Sequence, residues 1–434
     1  MKRRACRAAA CVFCLAALLT GCAGRGGGTS EAGSAVSAQP ETDTDGSVPE
    51  KTVYNLIDYG ADPTGIQDSY PAFEKMFEAI GSKNNIEVKI PAGTFRLSQR
   101  YEIVAEVSGY YGLTFSGAGE ETTQILCDND TGGFLFRGVT TNVNLHFRDM
   151  TFVAPDDGCG TALEFNIPAH GVVNEREVNA TNLLIRGLDY QTGYFNKGIV
   201  VSNAWWPTLT NVKVTDKYAI APGVYQNMTH AIELNNCYSP TIKNCYVWGG
   251  QNGITVNAAG GTPEDGIITD TYCVANIIGI NLNISDEQCE PNFKINNCHV
   301  DYRDTGILVK GVRQINIRSN VFYCADRDGS KWLNSTEPAR DFRSKDIDLQ
   351  FAQDVIISDN QFVEPSNDKR IGVYISPKSS HVWLSNNIFG MEGTCIVNES
   401  NGPCGTLSNN IFQDAWGFGR SANRLDDKTG TFVQ

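Results

Sequence analysis

The chain has 434 residues, 41% of them hydrophobic and 19% charged, with a formal net charge of −14. An acidic balance of this size excludes attraction to nucleic acid or to an anionic membrane surface through bulk charge. The length allows one large domain or several small ones, and an internal repeat decides between them.

In chain order, Met1 to Gly21 carries Lys2, Arg3, Arg4 and Arg7 and then the apolar run Ala8 to Leu19. That run is a signal-peptide core, too short to span a bilayer. It ends Leu19-Thr-Gly-Cys22, which resembles the lipobox of bacterial lipoproteins. The resemblance implies cleavage before Cys22 and acylation of that cysteine, hence a lipid-anchored protein of the cell envelope, on the extracytoplasmic side. Residues 22–51 hold almost no large apolar side chain, so they cannot bury enough surface to order themselves and read as a flexible tether. A single domain is expected over 52–434. Of the 14 cysteines, Cys6, Cys11 and Cys14 leave with the signal and Cys22 carries lipid. Cys245, Cys273 and Cys298 fall on inward positions of the repeat, where a thiol serves as a small core residue. Cys395 and Cys404 are the candidates for a disulfide.

From Tyr70 to Ile80, Phe73, Met76, Phe77 and Ile80 form one helical stripe, with Ser69 and Pro71 placed to start it. Such a helix would cap the first open turn of a repeat and hide its edge strands. The segments around it, Tyr54-Asn-Leu-Ile-Asp-Tyr-Gly-Ala-Asp-Pro-Thr-Gly65, Ile90-Pro-Ala-Gly-Thr-Phe-Arg-Leu97 and Phe115-Ser-Gly-Ala-Gly119, closely resemble the opening of the pectin-lyase-like superfamily. The resemblance implies a right-handed parallel β-helix, and an activity or binding function directed at polysaccharide. It implies no single reaction, because members share this opening while differing in chemistry.

The repeat itself begins with a hexad, Ile242-Lys-Asn-Cys-Tyr-Val247, that recurs with starts at Phe147, Ile185, Leu209, Ile268, Ile295, Ile317, Ile357, Leu384 and Leu407. Its third position is a turn-former in every copy, from Asp149 to Asn409. Its fourth position turns to Asn320, Asn360, Asn387 and Asn410, which predicts either a stacked amide ladder or a left-handed bend. A second series follows each hexad: Gly198-Ile-Val-Val, Ala231-Ile-Glu-Leu, Gly253-Ile-Thr-Val, Gly279-Ile-Asn-Leu, Gly306-Ile-Leu-Val, Asp346-Ile-Asp-Leu, Gly372-Val-Tyr-Ile. Both have the two-residue period of strands, and the unit recurs every 22 to 40 residues. An all-β solenoid of about ten coils with an N-terminal capping helix is expected. The tail from Asp414, with Trp416 and Phe418, is expected to cover its far end.

The corners between hexad and second series are short except at 215–230 and 323–345. Two tall loops would flank a trough whose floor offers Trp248, Gln251, Asn252, Tyr272, Asn276, Asp301, Tyr302, Arg303 and Asp304. Rings, amides and charges together suit a glycan. Trp248, Asn252, Tyr272, Tyr302, Trp332 and Arg343 are the expected substrate contacts. Arg327, Lys331, Arg340, Arg343 and Lys345 of the second loop, with Lys369 and Arg370 beyond it, would make a basic wall against an acidic sugar.

Two chemistries fit. A glycoside hydrolase needs a carboxylic acid and a carboxylate, roughly 6.5–9.5 Å apart if inverting, and Asp301, Asp304, Asp326 and Asp328 are candidates. A polysaccharide lyase needs a base and a cation beside a uronate, roles open to Arg303, Arg327 and Lys331, with Tyr302 or His299 as further candidates. Asp326-Arg-Asp-Gly329 offers two acids to a calcium ion, which a lyase could use, against a shell of roughly six to eight oxygens. His230 and Glu233 form a second candidate pair. The insertion 166–182, with His170, Glu175, Arg176 and Glu177, serves oligomerisation as readily as substrate contact. The Asn-Thr-Asp, Asp-Asp and Gly-His-Gly set of polygalacturonases is missing: Thr269-Asp270-Thr271 falls on a structural turn and Asp156-Asp157 comes too early. The Arg-rich signature of calcium pectate lyases is missing too, so the resemblance assigns no catalytic residue. A polysaccharide-degrading enzyme is the leading expectation, and a non-catalytic glycan-binding or surface-structural protein the alternative.

Overall fold

In the computed structural model, the described residues are 51–105, 111–138, 142–169, 176–217, 227–258, 261, 263–324, 344–363, 369–413, 425–429 and 432. The signal peptide, the tether with Cys22, most of both tall loops (218–226 and 325–343) and the tail residues Trp416 and Phe418 lie outside them. Among the described residues the fold is mostly β with one α-helix, Tyr70–Ile80. Among the described residues no helix is long and apolar enough to cross a membrane.

Strand pairing is parallel throughout, and each segment bonds to those one repeat before and after it. One ladder runs without a break from Tyr54 through Val88, Phe115, Phe147, Ala180, Leu209, Ile242, Ile268, Ile295, Ile317, Ile357 and Leu384 to Leu407. From Phe147 onward these are the first residues of the ten hexads, with one correction. The hexad expected at Ile185 starts at Ala180, because Ile185 pairs with Val214 rather than Leu209. Asn182 supplies the bend at φ 52°, in place of Gly187. A second ladder passes through the second halves of the hexads, and a third through the second series.

The third hexad position is the left-handed one. Asp149, Asn211, Asn244, Asp270, Asn297, Ser319, Asp359, Asn386 and Asn409 all have φ between 53° and 61°, where Asn and Asp are the least strained side chains. The fourth position is therefore free to point inward, and the four asparagines form the amide ladder rather than the bend. Asn360 Nδ2 donates to Ile317 O at 2.9 Å and to Asn387 Oδ1 at 3.0 Å, and its own Oδ1 accepts from Asn320. Beside it Phe322, Phe362, Phe389 and Phe412 stack face to face at 5.0, 4.4 and 5.2 Å.

Apolar positions of all three ladders point inward and form one continuous core. The helix closes its N-terminal end: Phe73, Met76 and Ile80 are buried, and Phe73 meets Phe134 at 5.3 Å. Ser69 is not its side-chain cap; the Asp68 carboxylate accepts from the Tyr70 amide instead. Gly117 permits the expected tight corner, since a Cβ there would lie 1.9 Å from Asp149 O. Cys245, Cys273 and Cys298 are core thiols, and Cys395 and Cys404 are unbridged; Cys404 Sγ lies 3.1 Å from Ser400 Oγ instead.

Candidate functional site

The predicted floor residues divide between the inside of the molecule and two outer faces. The strand after the hexad does not stop at Val300 but runs on as His299–Arg318. Alternation therefore continues, sending Tyr302 inward and Asp301 outward. Tyr302 is fully buried and donates to Asp346 Oδ1 at 2.6 Å. Arg370, expected in a basic wall, is fully buried too: its Nε and Nη2 donate to the same carboxylate at 3.1 and 2.6 Å, and Nη1 donates to Val363 O. Both expectations are corrected. Tyr302 and Arg370 form an internal polar knot with Asp346 and cannot touch a sugar.

On the outer face of the second ladder, Trp248, Tyr272 and Asp301 do come together. Tyr246, Tyr272 and His299 stand in register, with ring centroids 6.3 and 5.7 Å apart. Trp248 and Asp301 lie two residues further along their strands on the same face. Burial pushes the Asp301 carboxyl up to about 7, against a hydrogen bond from the Ala275 backbone. Its Oδ1 is buried without a partner. Arg303 and Asp304 follow, half-buried, on the same strand. This face is open, with Tyr272 52% exposed. Asp326, Arg327, Asp328, Lys331, Trp332 and Arg343 lie outside the described residues. Among the described residues no cluster of three or more His, Cys, Asp or Glu is arranged to hold a metal ion.

Around the corner, the outer face of the third ladder is enclosed. Its central row is the third residue of the second series, where Glu233 pairs with Thr255 and Thr255 with Asn281. Although the row points away from the core, Glu233 is 8% exposed and Thr255 1%. Beside it runs a row in which Lys197, His230 and Asn252 are in register. Lys197 Nζ reaches Glu233 Oε2 at 2.6 Å, and Asn257 Nδ2 donates to Glu233 Oε1. Asn252, expected as a substrate contact, is braced within this row: it donates to Thr229 O and accepts from Asn281 Nδ2 at 3.1 Å.

Three atoms here, His230 Nδ1, Thr255 Oγ1 and Asn281 Oδ1, are buried without a hydrogen-bond partner. Buried polar groups are normally paired, so three orphans on adjacent strands mark a place built for a ligand's polar groups or for water. Burial holds the His230 imidazole below its ordinary value, with Lys197 adding to the effect and Glu233 opposing it. It is therefore neutral near pH 7. Sequence reasoning had His230 and Glu233 but missed Lys197, Thr255 and Asn281. The signal lay in the second series, whose third residue reads Val200, Glu233, Thr255, Asn281 while its neighbours stay apolar.

No protein-family profile matches the chain, and no curated protein matches it. Solved structures do. DFA-IIIase from Arthrobacter chlorophenolicus A6, solved in complex with GF2, superposes with a TM-score of 0.62 at 11% identity, over 88% of this chain and 100% of that one. The A-module of mannuronan C-5 epimerase AlgE4 from Azotobacter vinelandii gives 0.56 at 15%, over 88% and 99%. The Streptococcus pneumoniae surface protein and adhesin PfbA gives 0.55 at 16%, over 88% and 100%. This chain spans 62% of a further match, ORF18 of Geobacillus virus E2, at a TM-score of 0.50 and 13% identity. These neighbours are parallel β-helix proteins, and the chain shares their fold.

Proposed function

We propose that this protein is a lipid-anchored, extracytoplasmic enzyme acting on an acidic polysaccharide, built as a right-handed solenoid of about ten coils or more. The observation that carries the reading is the neutral His230 imidazole, with its Nδ1 unpartnered, in register with Lys197 on a buried row where Thr255 Oγ1 and Asn281 Oδ1 also lack partners. A base next to a cation suits removal of the proton beside a uronate carboxylate. In the lyase version His230 takes that proton, a carbon–carbon double bond forms as the bond to the glycosidic oxygen breaks, and the resulting imidazolium returns the proton, directly or through water, to the leaving oxygen. A hydrolase fits less well, because Glu233 is clamped by Lys197 and Glu164, two strands away, is clamped by Arg100 at 2.5 Å. Neighbours named as an epimerase and as DFA-IIIase support a carbohydrate-active reading, and a neighbour named as an adhesin supports the binding alternative.

The test is incubation of the protein with acidic and neutral polysaccharides, with calcium or chelator, following unsaturated uronate absorbance and reducing ends together. Both signals are expected, with His230→Gln lowering the rate 100-fold or more. The acid limb of the pH profile should have its midpoint below the ordinary histidine value. Reducing ends alone would transfer the assignment to a hydrolase, and glycan binding with neither signal would leave a binding module.

A further inference from the structure

The strands that carry Lys197, His230 and Glu233 end at a corner with a feature the reaction does not use. Each successive repeat enters its next hexad through one left-handed residue: Trp206, then Ser239, Asp265, Asn292, Gln314, Asp354 and His381, with φ between 47° and 63°. Their backbone amides join them in a stack, Trp206 N to Tyr238 O at 2.8 Å and Ser239 N to Glu264 O at 2.9 Å. Six of the seven are small or polar, as the left-handed region favours. Trp206 is the exception, and a bulky ring at positive φ is an outlier. Pro207 adds to the strain, since a residue before proline prefers an extended backbone.

The indole gains little burial in return, for Trp206 is 44% exposed. It is nonetheless braced by its neighbours. It packs edge-on against Trp205 at 5.9 Å, and Trp205 stacks on Tyr238 at 4.6 Å and 10°. Strain kept at an exposed, braced side chain points to a function for that side chain.

We infer that Trp206 is a stacking subsite for one sugar ring of the same glycan that His230 acts on, bound at the opposite end of the strands. This rests on the glycan reading above. The strand Lys197–Ser202 separates the two positions by roughly 20 Å. A ligand touching both must therefore be an oligomer of several sugars, and the substrate class is a polymer rather than a disaccharide.

The experiment compares wild type, Trp206→Asn and Trp206→Phe on size-fractionated oligomers of the glycan that responds in the panel. Trp206→Asn installs the kind of residue its neighbours use, so its Tm should rise. Its KM for long oligomers should increase 10-fold or more with little change in kcat, its KM for the shortest substrates should not move, and Trp206→Phe should recover most of the loss. An unchanged KM for long oligomers overturns the subsite. So does an equal loss at every length, a fall in Tm, or a change in oligomeric mass showing that a second copy covers the ring. If wild type turns over nothing, calorimetric titration with the same oligomers separates the two claims. Binding weakened by Trp206→Asn sustains the subsite and removes only the catalysis, whereas no binding to wild type overturns both.

Discussion

Asp301 shows how one side chain can carry a cost set by where alternation places it. Its unfolded carboxyl titrates near 3.8, and the folded one is pushed up to about 7 by burial. Between those values the folded state holds a proton that the unfolded state has lost, so this group's contribution is full below the lower value. It declines as pH rises through the window, by roughly 1.4 kcal/mol per pH unit while the difference persists, and is flat above the upper value. Asp301→Asn should therefore remove the decline, and the Tm gap between variant and wild type should widen from pH 4 to pH 7. A gap that stays constant across that range in calorimetry would mean that the carboxyl is ionised throughout. The same alternation explains two misplacements. Arg370 and Tyr302 read as surface chemistry because each is polar and near a corner, yet a buried partner, Asp346, takes both inside. Nothing in the sequence marks that partnership except an Asp at 346, where most of the second series has Gly.

At the scale of the repeat, the amide ladder is the element most exposed to test. Asn360 serves the segments on both sides, so Asn360→Ala would leave Ile317 O, Asn387 Oδ1 and the Asn320 donors short of partners. A loss of about 3 kcal/mol or more is expected from several buried groups left unpaired, read as a lower urea midpoint; a loss under about 1 kcal/mol would show that water replaces the amide. The repeat was legible almost completely, because period-two alternation and a turn-former every 22 to 40 residues leave few registers open. It failed at Ile185, where apolar residues occupy both faces of the strand Arg176–Gly187 and alternation alone cannot choose between Ala180 and Ile185. The candidate site was half legible. His230 and Glu233 stood out as types, but Lys197, Thr255 and Asn281 join them in a site only when four successive repeats are laid in register.

For the whole molecule, attachment and architecture make separate claims. The proposed lipid anchor would sit on Cys22, so Cys22→Ser should move the protein from the membrane fraction to the soluble fraction with its thermal transition unchanged. Retention in the membrane fraction would point to another means of attachment. The architecture has a mechanical corollary. The first strand, Thr52–Asn55, is bonded in parallel to Ile86–Lys89, and the last, Leu425–Asp427, to Thr394–Asn398. Tension on the two ends of the domain thus loads only a few hydrogen bonds at a time. A protein held at a cell surface by one end and by its ligand at another point would yield by paying out chain from a terminus, repeat by repeat. The segments beyond the ligand, which bear no load, would stay folded.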